Sequence, residues 1–341
     1  MYVIYLIMAI LAFGVLIIVH ELGHFTLAKL NGVRVEEFSI GMGPRILSKQ
    51  GKETRYSLSL FPIGGYVKMM GEEESVEDER SFSAKSPLRR ISIIIAGVFM
   101  NYVLAIVIFT SVTYNFGYIS TTIKEVQNAS PAYEAGLQEG DRIIRTGNSK
   151  VFANDDVVLD VYLSKGEPVN FLIDRNGEEK EISVKPQINA ENQYKIGVVF
   201  GGVENPTFGD SVKQGFNKTA SYVSQTFKSL KMLVERKLDL KNDVGGPVTI
   251  IKMSSKAAEA GIWTLVNLVG ILSVNLAVFN LLPFPALDGG WCVILLIELI
   301  TRRKVPDKIV GVLNYIGFSA LIGLMILVTI KDFVFPINLG K

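Results

Sequence analysis

The sequence is poor in the residues that most often bind metals or cross-link chains: its 341 residues include one cysteine and two histidines. The single cysteine, Cys292, excludes an intrachain disulfide framework and a zinc site made from several cysteines. An excess of one charge is also missing, because 35 Lys and Arg nearly balance 33 Asp and Glu. Since nucleic-acid binding usually needs a basic excess, we expect no nucleic-acid partner.

Apolar residues are abundant instead, at 49% of the chain, and the mean hydropathy is positive. A bilayer is crossed by about 20 apolar residues in a helix, and four stretches have that length, at 3–26, 91–116, 262–282 and 309–330. The first stretch has neither the basic start nor a clear cleavage site of a signal peptide, so we interpret it as a retained span. The sequence predicts a multi-pass protein with about four transmembrane helices in a lipid bilayer.

The distribution of basic residues predicts how these spans are oriented. The loop between the first two spans is rich in Lys and Arg, and Arg302, Arg303, Lys304 and Lys308 precede the fourth span. Both regions should therefore lie on the cytoplasmic side. The two termini and the long segment between the second and third spans are then expected to be extracytoplasmic.

The segment between the second and third spans has two parts. Residues 118–200 are polar and contain strand-like runs such as Val169–Ile173, which predicts a separate soluble α+β domain. Residues 201–261 have the pattern of amphipathic helices, which suits helices on the membrane surface and a simple extracytoplasmic linker equally well. The predicted organisation is 1–117 for the first two spans, 118–200 for the inserted domain, 201–261 for the linker helices and 262–341 for the last two spans.

The first cytoplasmic loop holds a β-prone stretch, Tyr56–Lys68, in which polar and apolar residues alternate. Pro62, Gly64 and Gly65 interrupt the alternation. Alternation broken by turn-forming residues predicts a β-hairpin, here on the cytoplasmic side of the membrane.

Within the inserted domain, Ser130–Ile144 combines a short helix begun by a proline with a Gly-Asp turn into a strand. This string resembles the signature of bacterial PDZ domains, and the segment holds a single copy. The resemblance implies an exposed groove that accepts an extended peptide or a chain end by strand addition. A structural β-domain without a ligand is the alternative.

The strongest chemical signal is His20-Glu-Leu-Gly-His24 at the end of the first span. Residues i and i+4 lie on one face of a helix about one turn apart, so both imidazoles can bind one Zn²⁺. Glu21 points to an adjacent face, where it can act as a general base toward a water molecule at the metal. Ionisable groups at the end of an uncharged apolar run are expensive in a membrane and are usually functional.

A catalytic zinc usually takes three protein ligands, and no third histidine exists in this chain. A carboxylate should complete the set. Asp288 is the best candidate, because it follows the third span in a segment broken by two prolines and two glycines, at the same cytoplasmic depth as the histidines. Glu298 competes, but it can be explained by an ion pair with Arg302, one helical turn further on.

Taken together, these motifs resemble the bacterial site-2 proteases of the RseP type over essentially the whole chain. The motifs that carry the resemblance are His20–His24, Gly41–Pro44, Phe61–Lys68, Ala96–Asn101, the PDZ-like string and Ser273–Gly290. The resemblance implies a multi-pass protein of the bacterial cytoplasmic membrane that uses Zn²⁺ to cleave transmembrane segments of single-span proteins, such as anti-sigma factors, or remnant signal peptides.

The resemblance also implies roles for particular residues. Asp288 would complete the zinc site with His20 and His24, and Glu21 would be the catalytic base. The hairpin with Gly64 and Gly65 would bind an unwound substrate segment by strand pairing. The remaining expected substrate-binding residues lie around the helix break after the third span: Asn275, Asn280, Pro283 and Pro285.

One position departs from the family, whose members commonly carry a histidine after Asp-Gly-Gly; here Trp291 and Cys292 follow. We expect Cys292 to be a buried, inert thiol rather than a ligand. Two other functions stay open on sequence grounds: a membrane peptidase of another H-E-x-x-H class, and a non-enzymatic PDZ scaffold. A set of two histidines and one carboxylate also fits iron.

Overall fold

A computed structural model describes residues 2–72, 76–189, 192–237 and 244–336, so the predicted location of the two chain ends falls partly outside the described residues. The chain forms two compact units, Met1–Ala105 with Ser229–Lys341, and Ile106–Lys228. The helices are α1 (Tyr2–Leu30), α2 (Pro87–Phe116), α3 (Pro131–Glu134), α4 (Asn154–Leu163), α5 (Phe208–Val234), α6 (Pro247–Ala260), α7 (Ile262–Asn280), α8 (Asp288–Thr301) and α9 (Asp307–Val334).

The strands are β1 (Val35–Gln50), β2 (Arg55–Met69), β3 (Tyr118–Val126), β4 (Arg142–Thr146), β5 (Ser149–Lys150), β6 (Val169–Arg175), β7 (Glu178–Val184), β8 (Gln187–Ile188), β9 (Tyr194–Lys195) and β10 (Val198–Val203). β1 and β2 belong to the first unit, and the other strands belong to the second.

The four predicted spans are confirmed as helices that are long and apolar enough to cross a membrane. Among the described residues these are α1 from Ile4 onward, α2, α7 and α9, with 27, 30, 19 and 28 residues. At 1.5 Å per residue, even the shortest is close to the thickness of the hydrocarbon core. Many of their apolar side chains are exposed, including Ile7, Leu11 and Leu327, as suits helices that face lipid.

The ends of the first two spans follow from local chemistry. After α1, Gly32 adopts φ +68°, and its N–H donates to the carbonyl of Lys29 while Val33 donates to Ala28. A glycine in the left-handed region is the usual end of a helix, because a side chain there would be strained. α2 begins with Pro87, whose missing N–H costs nothing in the first helical turn.

Around α1 the first unit is assembled from α6, α7, β1 and β2, which all pack against it. The α6–α7 corner buries Ala257, Ala258 and Leu265 against the first turns of α1. The start of α6 is tied to the end of α9, because the buried Asp332 carboxylate accepts the N–H groups of Gly246 and Thr249. These donors are among those that a helix N-terminus leaves unsatisfied.

The predicted hairpin within Tyr56–Lys68 is wrong in its pairing. The two halves of this stretch form one strand, β2, which pairs antiparallel with the preceding β1. Phe38 of β1 has Val67 on one side and Tyr56 on the other, so the first part of β1 lies between the two halves of β2. The interruption at Gly64, with φ +104°, bends the strand instead of ending it. The partner of this stretch is the preceding segment, β1. The alternation of residues within Tyr56–Lys68 gave no information about that partner.

The second unit contains a sheet of order β10-β3-β4-β6-β7, with β5 beside β4, and a separate β8–β9 pair. Its core includes Phe171, Ile173 and Val157, the last on α4. The Gly-Asp turn before β4 is held by the fully buried Asp141, whose carboxylate accepts Arg175 Nε and Nη2 at 2.7 and 2.8 Å. The strand-like runs predicted in this segment are therefore strands.

The part of α5 in the second unit packs on α4 through polar groups. Asp156 accepts the hydroxyl of Ser221 at 2.6 Å and the amide of Gln225 at 3.0 Å, and Lys228 pairs with Asp160. The charge of Lys228 is thus neutralised by a buried carboxylate on α4.

Candidate active site

The two histidines lie one turn apart on α1, as the spacing predicts. Their rings meet edge to face with centroids 4.7 Å apart, and their Nε2 atoms are 3.1 Å apart. Both residues are 7% exposed. Two imidazole nitrogens are thereby directed to one point inside the protein.

Asp288 reaches the same point from the first position of α8. Its Oδ2 lies 3.2 Å from His20 Nε2 and 3.6 Å from His24 Nε2. The chain can return so sharply from α7 because Gly289 and Gly290 have no side chains. A Cβ at either position would come within 2.2 Å of a backbone carbonyl oxygen of the preceding turn.

Each histidine has a second partner on α2 that orients its ring. His24 Nδ1 lies 2.9 Å from the carbonyl oxygen of Ile93, and His20 Nδ1 lies 3.3 Å from the side-chain amide of Asn101. A carbonyl partner requires the proton on Nδ1 and leaves Nε2 with its lone pair. For His20 the same tautomer follows if the Asn101 amide is turned so that its oxygen, which has no partner among the described residues, accepts the proton.

These three residues fit a metal ion. Their potential ligand atoms all lie within 4.8 Å of one another, and within the described part of the chain Asp288 Oδ2 is buried without a hydrogen bond. Crowded lone pairs repel one another unless a cation lies between them. Two imidazoles and one carboxylate form a common ligand set of catalytic zinc.

Close helix packing makes room for the rings. A Cβ on Gly97 of α2 would lie 2.4 Å from His24 Nε2, and a Cβ on Gly23 of α1 would lie 2.3 Å from the carbonyl oxygen of Ala96. Both distances are too short for real side chains. Glycine at these two positions lets α1 and α2 approach closely at the height of the histidines.

Glu21 lies on the side of α1 that faces β2. A Cβ built on Gly65 would be 3.3 Å from Glu21 Cγ, so the strand passes directly beside this carboxylate. The bent hairpin therefore extends to the predicted base, a proximity that sequence spacing does not reveal.

Comparison with known proteins identifies the family. The sequence model of peptidase family M50 matches residues 8–324.

The chain belongs to peptidase family M50.

The M50 peptidase has relatives along its whole length. It is 49% identical over 333 residues, which is 98% of this chain and 99% of the relative, to a Clostridium perfringens protein whose name assigns it provisionally to the zinc metalloproteases. It is 30% identical to the zinc metalloprotease RasP of Geobacillus kaustophilus, over 95% of this chain and 96% of the relative. The resemblance to site-2 proteases is thus confirmed, and the chain is a membrane metalloprotease.

A solved structure, the PDZ domain of an SdrC-like protein from Listeria innocua, is similar to part of this protein. The match covers 26% of this chain and 99% of the solved chain, at 20% identity and with a TM-score of 0.23.

Membership of M50 leaves the non-enzymatic scaffold and the other H-E-x-x-H class without support. Homologues named as zinc metalloproteases favour zinc over iron.

The expected substrate-binding residues of the M50 peptidase occupy different elements. Gly65 lies beside Glu21, as described above, and Gly64 is at the bend of β2. Asn275 is a partly buried residue of α7, and Asn280 is the last residue of that helix. Pro283 and Pro285 lie in the connection between α7 and α8.

The predicted ion pair of Glu298 with Arg302 is wrong. Glu298 Oε2 lies 2.6 Å from Arg90 Nη1, and its Oε1 accepts the N–H of Val305 at 3.1 Å. Arg302 ends α8 in the left-handed region, which turns the chain toward α9. The carboxylate is thereby held away from the histidines by a partner 208 positions distant in sequence.

Two polar residues of this M50 peptidase were not assigned a role from the sequence. Asn101 orients His20 as described, and Asn314 of α9 accepts the N–H of Ala286 at 3.3 Å in the connection that leads to Asp288. Both are polar side chains within apolar spans, and that is the signal that marks them as candidates.

Proposed function

We propose that this M50 peptidase cleaves peptide bonds within the transmembrane segments of single-span membrane proteins, in regulated intramembrane proteolysis of anti-sigma factors or in removal of remnant signal peptides. The observation that carries the proposal is the convergence of His20, His24 and Asp288 on membrane-spanning and adjoining helices, with Glu21 beside them. A peptidase that acts on water-soluble substrates does not need its reactive groups on membrane-spanning helices.

The zinc ion would be held by His20 Nε2, His24 Nε2 and Asp288. When bound, it supplies a Lewis acid that polarises the scissile carbonyl and makes water nucleophilic near neutral pH. Glu21 takes a proton from the attacking water and delivers it to the leaving amine. Ile93 and Asn101 keep the Nδ1 protons outside the site, so both Nε2 lone pairs stay directed inward.

The substrate must be unwound before its peptide bond can react, because a helix shields its own backbone groups. Gly64 and Gly65 of β2 would bring the substrate backbone next to Glu21 by strand pairing. Asn275, Asn280, Pro283 and Pro285 would hold and expose the segment at the α7–α8 break, where side-chain amides can replace lost backbone hydrogen bonds.

We further propose that the protein lies in the bacterial cytoplasmic membrane with its site near the cytoplasmic side. The PDZ-like domain would be extracytoplasmic and would bind a peptide or chain end, or exclude large extracytoplasmic substrate portions. The support is the excess of Lys and Arg between α1 and α2 and before α9.

The first test uses purified protein in detergent or liposomes with a single-span substrate peptide. Glu21→Gln removes the proton acceptor and keeps the ligands, so we expect cleavage to fall at least about 10²-fold with bound zinc unchanged. Mass spectrometry of the products reports whether the cut lies inside the apolar segment. Undiminished cleavage by Glu21→Gln would refute the proposed base.

The ligand assignment is tested by bound zinc after dialysis against a weak chelator. Asp288→Ala should lose zinc, and Glu298→Gln, the matched control among buried carboxylates, should keep it. If Asp288→Ala kept its zinc and Glu298→Gln lost it, Glu298 would be the third ligand instead of Asp288.

A further inference from the structure

The connection from α7 to α8 contains a tight turn just before the expected ligand Asp288. The N–H of Leu287 donates to the carbonyl of Phe284 at 3.1 Å and closes a four-residue turn. Pro285 and Ala286 are its two central residues, and Ala286 has φ +70°. A proline at the second position followed by a residue with positive φ is the pattern of a type II turn.

Alanine is an unfavourable residue at the third position of such a turn. Type II turns prefer glycine or asparagine there, because a Cβ is strained in the left-handed region. The relaxed alternative for a proline followed by an alanine is a type I turn, in which both central residues have negative φ. The two forms differ mainly by a flip of the central peptide. A contact from outside the turn is therefore needed to hold the Pro285–Ala286 peptide in its present orientation.

The fourth span, α9, contacts this peptide at both of its polar groups. The N–H of Ala286 donates to Oδ1 of Asn314 at 3.3 Å. A Cβ on Gly317 would lie 2.4 Å from the carbonyl oxygen of Pro285, so α9 packs directly on that oxygen. The peptide is trans, and its N–H and carbonyl therefore point in opposite directions. Asn314 and Gly317, three positions apart on one face of α9, thus hold one peptide unit between them.

The hydrogen bond to Asn314 is not duplicated by the neighbouring N–H groups of the connection. Within the described part of the chain, those groups donate to the connection itself or to the end of α7: Leu282 to Phe279, Phe284 to Leu282, and Leu287 to Phe284. The two prolines of the connection have no N–H. Among the described residues, the bond from Ala286 to Asn314 is the one that ties these N–H groups to another span.

We propose that Asn314 is a positioning residue of the metal site: its amide oxygen keeps the Pro285–Ala286 peptide in the orientation that directs Asp288 at the two histidines. The inference rests on the proposed function, because it takes Asp288 as a metal ligand. A ligand is effective only within about 0.5 Å of its binding geometry, and Asp288 follows the held peptide by two residues. When the turn populates two forms, the apparent zinc affinity is reduced to the competent fraction.

Asn314→Leu removes the acceptor with little change in side-chain size. We expect the zinc affinity, measured by competition with a chromogenic chelator, to fall about five- to tenfold, because one hydrogen bond no longer opposes the flip. The matched control is Ser319→Leu, since Ser319 is an exposed polar residue of the same helix. The control should bind zinc as wild type does, and the melting temperature shows whether both variants are folded.

A second substitution separates the orientation of the peptide from the packing of α9. Glycine adopts a positive φ without strain, so adding Ala286→Gly to Asn314→Leu should restore the zinc affinity to within about twofold of wild type, although the hydrogen bond is still missing. The same glycine should not restore Asn101→Leu, which loses a partner of His20 instead. Unchanged zinc affinity in Asn314→Leu, or a loss that Ala286→Gly leaves in place, overturns the proposal.

The zinc measurement separates this proposal from the proposed function, because it needs no substrate. In a protein that binds zinc but cuts no transmembrane segment, a loss in Asn314→Leu that Ala286→Gly restores supports the positioning role while the proposed function fails. Normal wild-type cleavage, together with equal zinc affinity in Asn314→Leu and Ser319→Leu, refutes the positioning role and leaves the proposed function standing.

Discussion

Two uncharged groups on α2 orient the rings of the histidines that are proposed to bind the metal. The carbonyl of Ile93 and the amide of Asn101 lie against the Nδ1 atoms, at 2.9 and 3.3 Å. Asn101 is itself held to α7, because the hydroxyl of Ser273 donates to its backbone carbonyl at 2.9 Å. The orientation of His20 thus depends on the packing of a third helix.

Removing the Asn101 amide should weaken metal binding. We expect Asn101→Leu to lower zinc affinity by roughly 10- to 100-fold, the usual effect of losing a partner of a metal-bound histidine. Competition with a chromogenic chelator measures the affinity. Asn101→Asp should largely restore it, because a carboxylate also accepts the Nδ1 proton.

Asn115→Leu is the matched control on the same helix, since Asn115 is exposed and its side-chain amide donates to the carbonyl of Ser111 at 2.8 Å. If Asn101→Leu binds zinc as tightly as this control, Asn101 does not orient His20.

At the scale of elements, the bent hairpin of β1 and β2 is locked by one buried carboxylate. Glu37 accepts Arg45 Nε and Nη2 at 2.8 and 2.7 Å, and the hydroxyl of Ser57 at 2.5 Å. β1 bends between Glu37 and Arg45, since Tyr56 of β2 pairs with both Phe38 and Lys49 of β1, and the ion pair joins the two sides of that bend. Ser57 connects the bend to β2, the strand that passes the site.

The hairpin should loosen in acid. The Arg45 guanidinium, with help from Ser57, lowers the pKa of Glu37 from 4.5 to about 2. Because the folded pKa lies below the unfolded one, the stabilisation is fully present above pH 4.5 and is lost as the pH falls toward about 2. Hydrogen exchange of the amides of Phe38–Ile40, corrected for intrinsic rates, should show falling protection across this window.

Glu37→Gln provides the comparison, since it has the same shape and no titrating group. Its protection should be lower at neutral pH and independent of pH across the window. An equally steep fall in Glu37→Gln would assign the acid effect to another group.

At the scale of the whole molecule, orientation in the membrane connects the site to its substrates. The proposed orientation puts β1 and β2 on the cytoplasmic side and the β3–β10 domain outside. Lys52 and Lys180 are exposed residues in these two regions and provide labelling positions.

In a Cys292→Ser background, Lys180→Cys should react with a membrane-impermeant maleimide in intact cells. Lys52→Cys should react only after the cells are opened. The opposite pattern would invert the protein and place the site near the outer surface, against the distribution of basic residues.

The sequence alone indicated the candidate metal site and the number of helices long and apolar enough to span a membrane. The chain has only two histidines, and residues four positions apart lie on the same face of a helix. The pair of expected metal ligands therefore follows from local geometry. Backbone N–H and C=O groups without hydrogen-bond partners are too costly in lipid, so a chain crosses the bilayer only as a helix or in a closed barrel. Long apolar runs therefore identify membrane-spanning helices. The strands of the inserted domain were also evident from short-range alternation.

Long-range partners were decided by the tertiary structure alone. The strand that inserts between the halves of Tyr56–Met69, the pair of Glu298 with Arg90, and the approach of Gly65 to Glu21 each join residues that are distant in sequence. Local patterns predict which element forms but contain no information on its neighbour. The residues proposed to bind the metal were therefore recognisable from the sequence, and the surfaces that would hold a substrate against them became visible only when the helices and the hairpin were packed.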